Sequence, residues 1–303
     1  MKKGQTILKL FSLMVLTGIF LGNPSFAQDP NADIDPLNPL KENPHNKIDP
    51  KEIDKHNREQ QKRYQDCLVL VDRNPTVARR TAIDWQAGGG GIPARHCLAL
   101  AYAGTGDHSS SADELEQIAQ AFKMTKSDEK GTLNPYDAVL LSEMYLQAGN
   151  AWMLADRNTK AFEAFTTALL EGPENNPLEV DIFLDRARAR AALDDYENAL
   201  SDLIEAQKLD ANRIDVLVLQ ATAHRALQQF EEAYRVLEDV FRITPYDENG
   251  LLERGNLNLI MGQEKEARAD WLELIRLYPE GEAADAARRN LENLDVKPEG
   301  NQP

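Results

Sequence analysis

The chain has 303 residues, of which 50 are aspartate or glutamate and 34 are lysine or arginine, so its formal net charge is −16. This charge argues against a nucleic-acid or anionic-membrane surface, because binding to phosphates requires clustered lysine and arginine. The mix of 42% hydrophobic and 28% charged residues is typical of a soluble folded protein.

Residues 1–27 have the pattern of a cleavable secretory signal peptide. Three lysines accompany an apolar run from Leu10 to Leu21, and small residues stand at the third-last and last positions before a cut after Ala27. An uncleaved anchor is the alternative, but the run has 12 residues and a spanning helix needs about 20. We therefore expect an exported, periplasmic mature chain that keeps no transmembrane anchor after signal cleavage.

Two segments are predicted to stay unfolded. Residues 28–51 form a linker that carries five prolines among aspartate and asparagine, with few apolar residues. Such a stretch cannot bury enough surface to offset its ordering entropy. Residues 295–303 are expected to be a short free tail for the same reason.

The two cysteines, Cys67 and Cys97, both lie in the exported part of the chain. In an oxidising compartment a structural disulfide between them is the expected state. A redox pair is the alternative, although such pairs usually have the spacing Cys-x-x-Cys near a βαβ unit, and this chain has neither feature.

The region between the linker and the tail is predicted to be helical, because alternating or β-branched runs are almost absent. Asn134 followed by a proline is typical of a helix start. The segments Ser111–Glu114 and Asp194–Glu197 match the capping-box pattern at two further helix starts. Residues 52–141 are predicted to form a helical N-terminal cap.

Three sets of positions recur downstream with the same gaps, which are 38, 34 and then 34. They are small residues at Gly149, Ala187, Ala221 and Gly255; alanines at Ala161, Ala199, Ala233 and Ala267; and turn residues at Pro173, Ala211, Pro245 and Pro279. Large apolar residues follow the second set four positions later, at Phe165, Leu203, Leu237 and Trp271. Small residues let two helices approach closely, and the large residues fill the space beside them.

This pattern resembles the tetratricopeptide repeat (TPR). The resemblance covers four repeats in residues 142–281, with four extra residues at 176–179, and a degenerate repeat lies within 92–125 of the N-terminal cap. It implies an all-α fold, a right-handed α-solenoid of TPR-like helix pairs, with residues 282–294 as a C-terminal capping helix. Arg190, His224 and Asn258 depart from the family, which prefers a large apolar or aromatic residue there, as at Trp152.

The resemblance also implies a peptide-binding groove lined by the first helix of each pair. Fourteen positions match its lining: Leu146, Asn150, Met153, Asp181, Leu184, Arg188, Asp215, Val218, Thr222, Arg225, Asn249, Leu252, Asn256 and Leu259. The lysines with which some members hold a carboxylate are absent. Asn150 and Asn256 are predicted to hold the backbone of an extended ligand by bidentate hydrogen bonds.

The predicted function is therefore a periplasmic scaffold or adaptor that binds an envelope protein or peptide without catalysing a reaction. No nucleophile–base, metal-ligand or cofactor-binding pattern is present, so no catalytic residue, metal or cofactor is expected. Two alternatives stay open: a thiol–disulfide or other envelope enzyme that uses Cys67 and Cys97, and a structural protein that associates with itself.

Overall fold

The computed structural model describes residues 50–128 and 130–296, and within these ranges it contains thirteen α-helices and no strand. The predicted all-α fold class is confirmed. The signal peptide, the linker up to residue 49 and the tail from residue 297 lie outside the described residues. The helices are α1 (Pro50–Arg73), α2 (Pro75–Ala87), α3 (Gly91–Gly104), α4 (His108–Lys126), α5 (Pro135–Leu154), α6 (Asn158–Glu171), α7 (Glu179–Ala192), α8 (Tyr196–Leu209), α9 (Ile214–Ala226), α10 (Phe230–Ile243), α11 (Glu248–Ile260), α12 (Glu264–Leu277) and α13 (Glu282–Asp295).

The described residues group into two compact units, 50–189 and 190–296, with the boundary inside α7. We call them the first unit and the second unit. The first contains α1 to α6 and most of α7, and the second contains the last turn of α7 and α8 to α13. α1 begins one residue before the predicted end of the linker, so it includes the last two linker residues, and α13 ends at the first residue of the predicted tail.

The N-terminal core of the first unit is held by a disulfide bond. Cys67 of α1 and Cys97 of α3 are bonded, with their Cα atoms 6.2 Å apart, a separation normal for a disulfide. Tyr64, Trp85 and Leu98 are buried around them. The bond thus ties α1 to α3 across the 30 residues that include α2.

Helix pairs pack through the small and large residues that the periodicity singled out. A Cβ atom added at Gly149 would lie 2.4 Å from the Phe165 ring, and one added at Gly255 would lie 2.4 Å from the ring of Trp271. Both aromatic side chains are fully buried. The small residues therefore leave room for large side chains of the neighbouring helix, as predicted.

The turns inside the helix pairs share one backbone geometry. Their central residues are Gly106 and Asp156 in the first unit and Asp194, Gln228 and Gly262 in the second, all with φ between 59° and 80°. In each turn the next N–H donates to the carbonyl five residues earlier at 2.9 Å. This is the Schellman closure, which satisfies a carbonyl at the helix end and needs a left-handed residue.

Both predicted capping boxes are wrong, whereas the cap at Asn134 is confirmed. α4 begins at His108, and Asp107 caps it by accepting from the N–H of Ser110, so Ser111 lies inside the helix. Asp194 is a left-handed turn residue, and α8 begins after Asp195. In both cases the Schellman turn, and not the best local capping sequence, sets where the helix starts. The N-cap residue lies one turn before Ser111 in α4 and one residue after Asp194 in α8.

Polar networks replace the aromatic residue in two pairs of the second unit. Arg190 forms an ion pair with the buried Asp202 at 2.7 Å. In the later pair Asn258 donates to Asp270 at 2.9 Å, and Arg254 forms an ion pair with the same carboxylate at 2.6 Å. The departures at Arg190 and Asn258 are therefore compensated by bonds between the two helices of each pair.

The capping helix α13 begins one repeat length after the start of α11, so it continues the spacing of the first helices. Its Ala283, Ala286 and Ala287 pack in one buried cluster with Leu252 and Trp271. Its opposite side is largely exposed, as expected of a terminal helix with a polar outer face.

Candidate functional site

All fourteen predicted groove residues lie on first helices of the pairs. Six are in the first unit, on α5 and α7, and eight are in the second unit, on α9 and α11. Nine of the fourteen are buried and five are partly exposed; the partly exposed ones are Asp181, Asp215, Asn249, Asn256 and Leu259. A ligand on this surface would thus meet side chains already packed against their neighbours.

Asn150 of α5 differs from the other predicted groove residues. Its side chain is 8% exposed, and neither the nitrogen nor the oxygen of its amide makes a hydrogen bond of acceptable geometry. The amide lies beside the carboxyl of Asp185 on α7, where burial raises the pKa of the carboxyl and a hydrogen bond of poor geometry from Asn150 opposes that rise. A buried amide without partners is destabilising by about 1–3 kcal/mol, so such a group is normally satisfied by water or a ligand.

Asp185 and Arg188 of α7 form a buried ion pair next to Asn150. The guanidinium donates to the carboxylate at 2.5 Å, and both side chains are less than a tenth exposed. Burial raises the pKa of the Asp185 carboxyl, and the charge of Arg188 opposes this shift. Arg188, a predicted groove residue, is therefore held by its own helix.

In the second unit the predicted groove residue Arg225 is also paired. It donates to both carboxylate oxygens of Glu253 on α11, at 2.5 and 3.1 Å, and both side chains are about 5% exposed. Burial alone would lower the pKa of Arg225, but Glu253 raises it. Thr222 donates to the carbonyl of Val218 on its own helix. The Arg225–Glu253 pair thus joins α9 to α11.

Asn256, the second asparagine predicted to hold a ligand, already has a partner in the second unit. Asn290 of α13 donates to its amide oxygen at 2.8 Å. Asn290 occupies the equivalent position one repeat after Asn256. The two predicted ligand-binding amides therefore differ, because the oxygen of Asn256 is engaged within the chain and the amide of Asn150 has no such bond.

Sequence reasoning missed three polar residues on the first-helix surfaces: Asp185, Glu253 and Asn290. The repeat spacing could have found them, since Glu253 follows Asp185 by two repeat lengths and Asn290 follows Asn256 by one. Each lies within bonding range of a predicted groove residue.

A buried polar chain crosses the first unit near the disulfide. The Tyr64 hydroxyl of α1 lies 2.7 Å from Nδ1 of His96 on α3, and Nε2 of His96 lies 2.8 Å from Oε1 of Gln147 on α5. Gln147 donates its amide to Glu143 at 3.3 Å, so its oxygen accepts from His96. Burial lowers the pKa of His96 and so favours the neutral ring, in which the proton is on Nε2 and Nδ1 accepts from Tyr64.

Features of a chemical site are few in the part of the chain described. The sulfurs of Cys67 and Cys97 belong to residues at most 1% exposed, where a thiolate from solution cannot reach them. No group of three or more His, Cys, Asp or Glu side chains among residues 50–128 and 130–296 could hold a metal ion. In the same ranges, no helix combines the length and the apolar character needed to cross a bilayer.

Comparison with known proteins identifies the fold. No family model and no curated protein sequence matches this chain. A tetratricopeptide repeat protein from Parabacteroides merdae matches with a TM-score of 0.63 and 13% identity, over 79% of this chain and 88% of that one. PilF of Pseudomonas aeruginosa matches with a TM-score of 0.54 and 13% identity, over 76% of this chain and 97% of its own. The chain has the tetratricopeptide-repeat fold, as the spacing of its small and large residues predicted.

Proposed function

We propose that this protein is an exported, periplasmic scaffold that binds an extended peptide or protein segment along the α5–α7 surface of the first unit. We define that surface by Glu143, Leu146, Asn150, Asp181, Asp185 and Arg188. The unpartnered amide of Asn150 carries the proposal. An amide offers one acceptor and two donor hydrogens, which complement the N–H and C=O of a peptide backbone.

The Asn150 amide is covered in the free chain, so binding requires a side chain above it to move. We infer that Arg188 is this side chain, because its stem is long and flexible and its guanidinium is bonded to Asp185 of the same helix. A ligand that supplies the missing partners of Asn150 removes an unfavourable buried group, which offsets part of the free energy of opening.

The location rests on two features that agree. The pattern of residues 1–27 directs export, and the Cys67–Cys97 bond is of a kind that persists in oxidising compartments. N-terminal sequencing of the protein purified from a periplasmic extract should begin at Gln28. Recovery of the chain from the cytoplasm with residues 1–27 intact would contradict export.

Binding is tested with a random library of short linear peptides, selected on the mature oxidised chain. Titration calorimetry then compares the parent protein with Asn150→Leu. Two lost hydrogen bonds of about 0.5–1.5 kcal/mol each predict a weakening of about five- to 150-fold. Because leucine removes the unsatisfied amide with little change of shape, the variant should unfold at an equal or higher temperature.

Asn256→Leu is the matched control, since it removes an asparagine from the second unit whose partner is Asn290. It should leave binding of the selected peptides unchanged and lower the stability of the second unit. Selected peptides that bind Asn150→Leu as tightly as the parent protein would refute the assignment of the surface.

A further inference from the structure

We propose that the outer face of α1, in the first unit, docks an acidic α-helix of a partner protein. This face lies on a different helix from the α5–α7 surface, so the inference is independent of the proposed function. We call it the α1 stripe and define it by Lys55, Arg58, Lys62, Val69 and Arg73.

The α1 stripe runs along the side of the helix that faces away from the core. Its residues follow one another at intervals of three, four, seven and four, which place them on one face of an α-helix. All five are exposed, whereas Tyr64 and Cys67 on the other side of α1 are buried. α1 packs against α2 and α3, and among the described residues no helix precedes it. The stripe therefore presents about 27 Å of helix surface to solvent.

The four cations of the α1 stripe form no ion pair with any described residue. Further along the chain, the same kind of side chain is usually paired. Ten arginines between residues 186 and 289 form ion pairs with carboxylates, as Arg225 does with Glu253. The cations of the stripe can therefore bind the carboxylates of a partner without first breaking such a pair.

The stripe belongs to a basic segment of an acidic chain. Residues 55–87 contain seven basic and four acidic residues, a formal charge of +3, and the acids are Glu59, Asp66, Asp72 and Asp84. Residues 88–303 contain 21 basic and 39 acidic residues, a formal charge of −18. A membrane or a nucleic-acid duplex extends far beyond one helix and would also meet this negative charge, which disfavours both. A single helix on the stripe meets mainly the charges within the screening length of about 8 Å.

A partner helix matches the α1 stripe in spacing as well as in charge. Carboxylates three and four residues apart share one face of a helix, with the same rise per residue as the cations of the stripe. Val69 is 49% exposed within the stripe, so an apolar residue of the partner gains by covering it. A second copy of this chain is a poorer partner, because two chains that each carry a charge of −16 repel one another.

The test uses a designed helical peptide with glutamates and one leucine along a single face. Its comparison is an isomer of the same composition whose glutamates are spread around the helix. Fluorescence anisotropy at low salt measures the binding of both to the mature oxidised chain. We expect the striped peptide to bind at least about fivefold more tightly than the isomer, with a difference that shrinks at high salt.

Arg58→Glu with Lys62→Glu should weaken binding of the striped peptide by at least about fourfold, since each reversal removes an attraction and adds a repulsion. Arg58→Gln with Lys62→Gln adds no acid to the helix and should give a smaller loss in the same direction. This second variant keeps the test valid if the added glutamates destabilise α1.

Lys265→Glu with Arg289→Glu is the matched control, because it reverses two exposed cations of the second unit and changes the net charge equally. It should change binding of the striped peptide by less than about twofold. Equal losses in this control and in Arg58→Glu with Lys62→Glu would show a response to net charge alone and overturn the inference.

The remaining outcomes distinguish other partners. No binding of the striped peptide, or equal binding of its isomer, overturns the inference. Tighter binding to vesicles of equal parts phosphatidylglycerol and phosphatidylcholine, lost in Arg58→Glu with Lys62→Glu, would assign the stripe to lipid instead. A dimer in light scattering that the same variant dissociates would assign it to a second copy. Asn150→Leu should bind the striped peptide as the parent does, so failure of the stripe leaves the proposed function standing.

Discussion

Acidification should loosen the contacts between α1, α3 and α5, because His96 is buried and both nitrogens of its ring are engaged in hydrogen bonds. Burial lowers the pKa of its imidazole, against the hydrogen bond with Gln147. A protonated ring would turn Nδ1 into a donor that faces the Tyr64 hydroxyl, and the bond between them at 2.7 Å would be lost unless that hydroxyl turned.

The sign of the effect follows from proton linkage. In the unfolded chain His96 titrates near its ordinary pKa of about 6.5, whereas the folded chain binds that proton only at lower pH. Its contribution to stability is thus complete above about pH 6.5 and is lost as the pH falls below that value. Between about pH 7.5 and about pH 5, this linkage lowers the free energy of unfolding by at most about 2 kcal/mol, the limit for a ring that stays neutral throughout in the folded chain.

The assay compares the parent protein with His96→Gln, whose amide supplies one donor and one acceptor but does not titrate. Hydrogen exchange of amides in α1, α3 and α5 measures the free energy of local opening at both pH values. Other titrating groups are common to both proteins, so the difference isolates His96. On acidification the parent should lose more stability than His96→Gln, by up to about 2 kcal/mol. His224→Gln should behave as the parent.

The same pH dependence in the parent protein and in His96→Gln would refute the reasoning. It would mean that the ring accepts its proton in the folded chain without cost, and that the Tyr64–His96–Gln147 chain rearranges freely.

Three further predictions concern stability. Gln228→Gly should raise the free energy of unfolding by about 0.5–1 kcal/mol in urea titrations, because Gln228 has φ 60° and glycine adopts this conformation without strain; a loss of stability would contradict the turn geometry. Gly149→Ala should lower it by about 1–2 kcal/mol, since a Cβ atom 2.4 Å from the Phe165 ring outweighs the better helix propensity of alanine; an unchanged urea midpoint would show that the ring moves freely. Replacing Cys67 and Cys97 together by alanine should cost about 3.6 kcal/mol in the first unit by the chain-entropy estimate for a 30-residue separation, measured by calorimetry.

The fold was predictable because repeated packing constrains the same positions again and again. Gly149 and Gly255 face large rings in different helix pairs, and the sequence records this in the spacing of its repeats. Local signals were less reliable. Ser111 has a good capping sequence three residues later, but Asp107, placed by the turn at Gly106, caps the helix instead.

The candidate site was only partly predictable. Position in the repeat was enough to single out Asn150 and Asn256 as candidates. It could not tell them apart, because that depends on whether another helix brings a partner within about 3 Å, as α13 does with Asn290. Burial of Arg188 and Arg225 in ion pairs likewise depends on side-chain distances between positions that the sequence pattern does not fix.

The shared left-handed turns have a consequence for how such a chain can lengthen or shorten. Each hairpin closes by the same hydrogen bond at 2.9 Å, so its two helices are joined by the same form of turn. Duplication or deletion of a stretch one repeat long then joins helix pairs whose turns have the same geometry. A gene encoding this chain can therefore gain or lose one repeat in a single step. An insertion of any other length, such as residues 176–179, needs contacts of its own. Asn176 provides one by donating to Ser142.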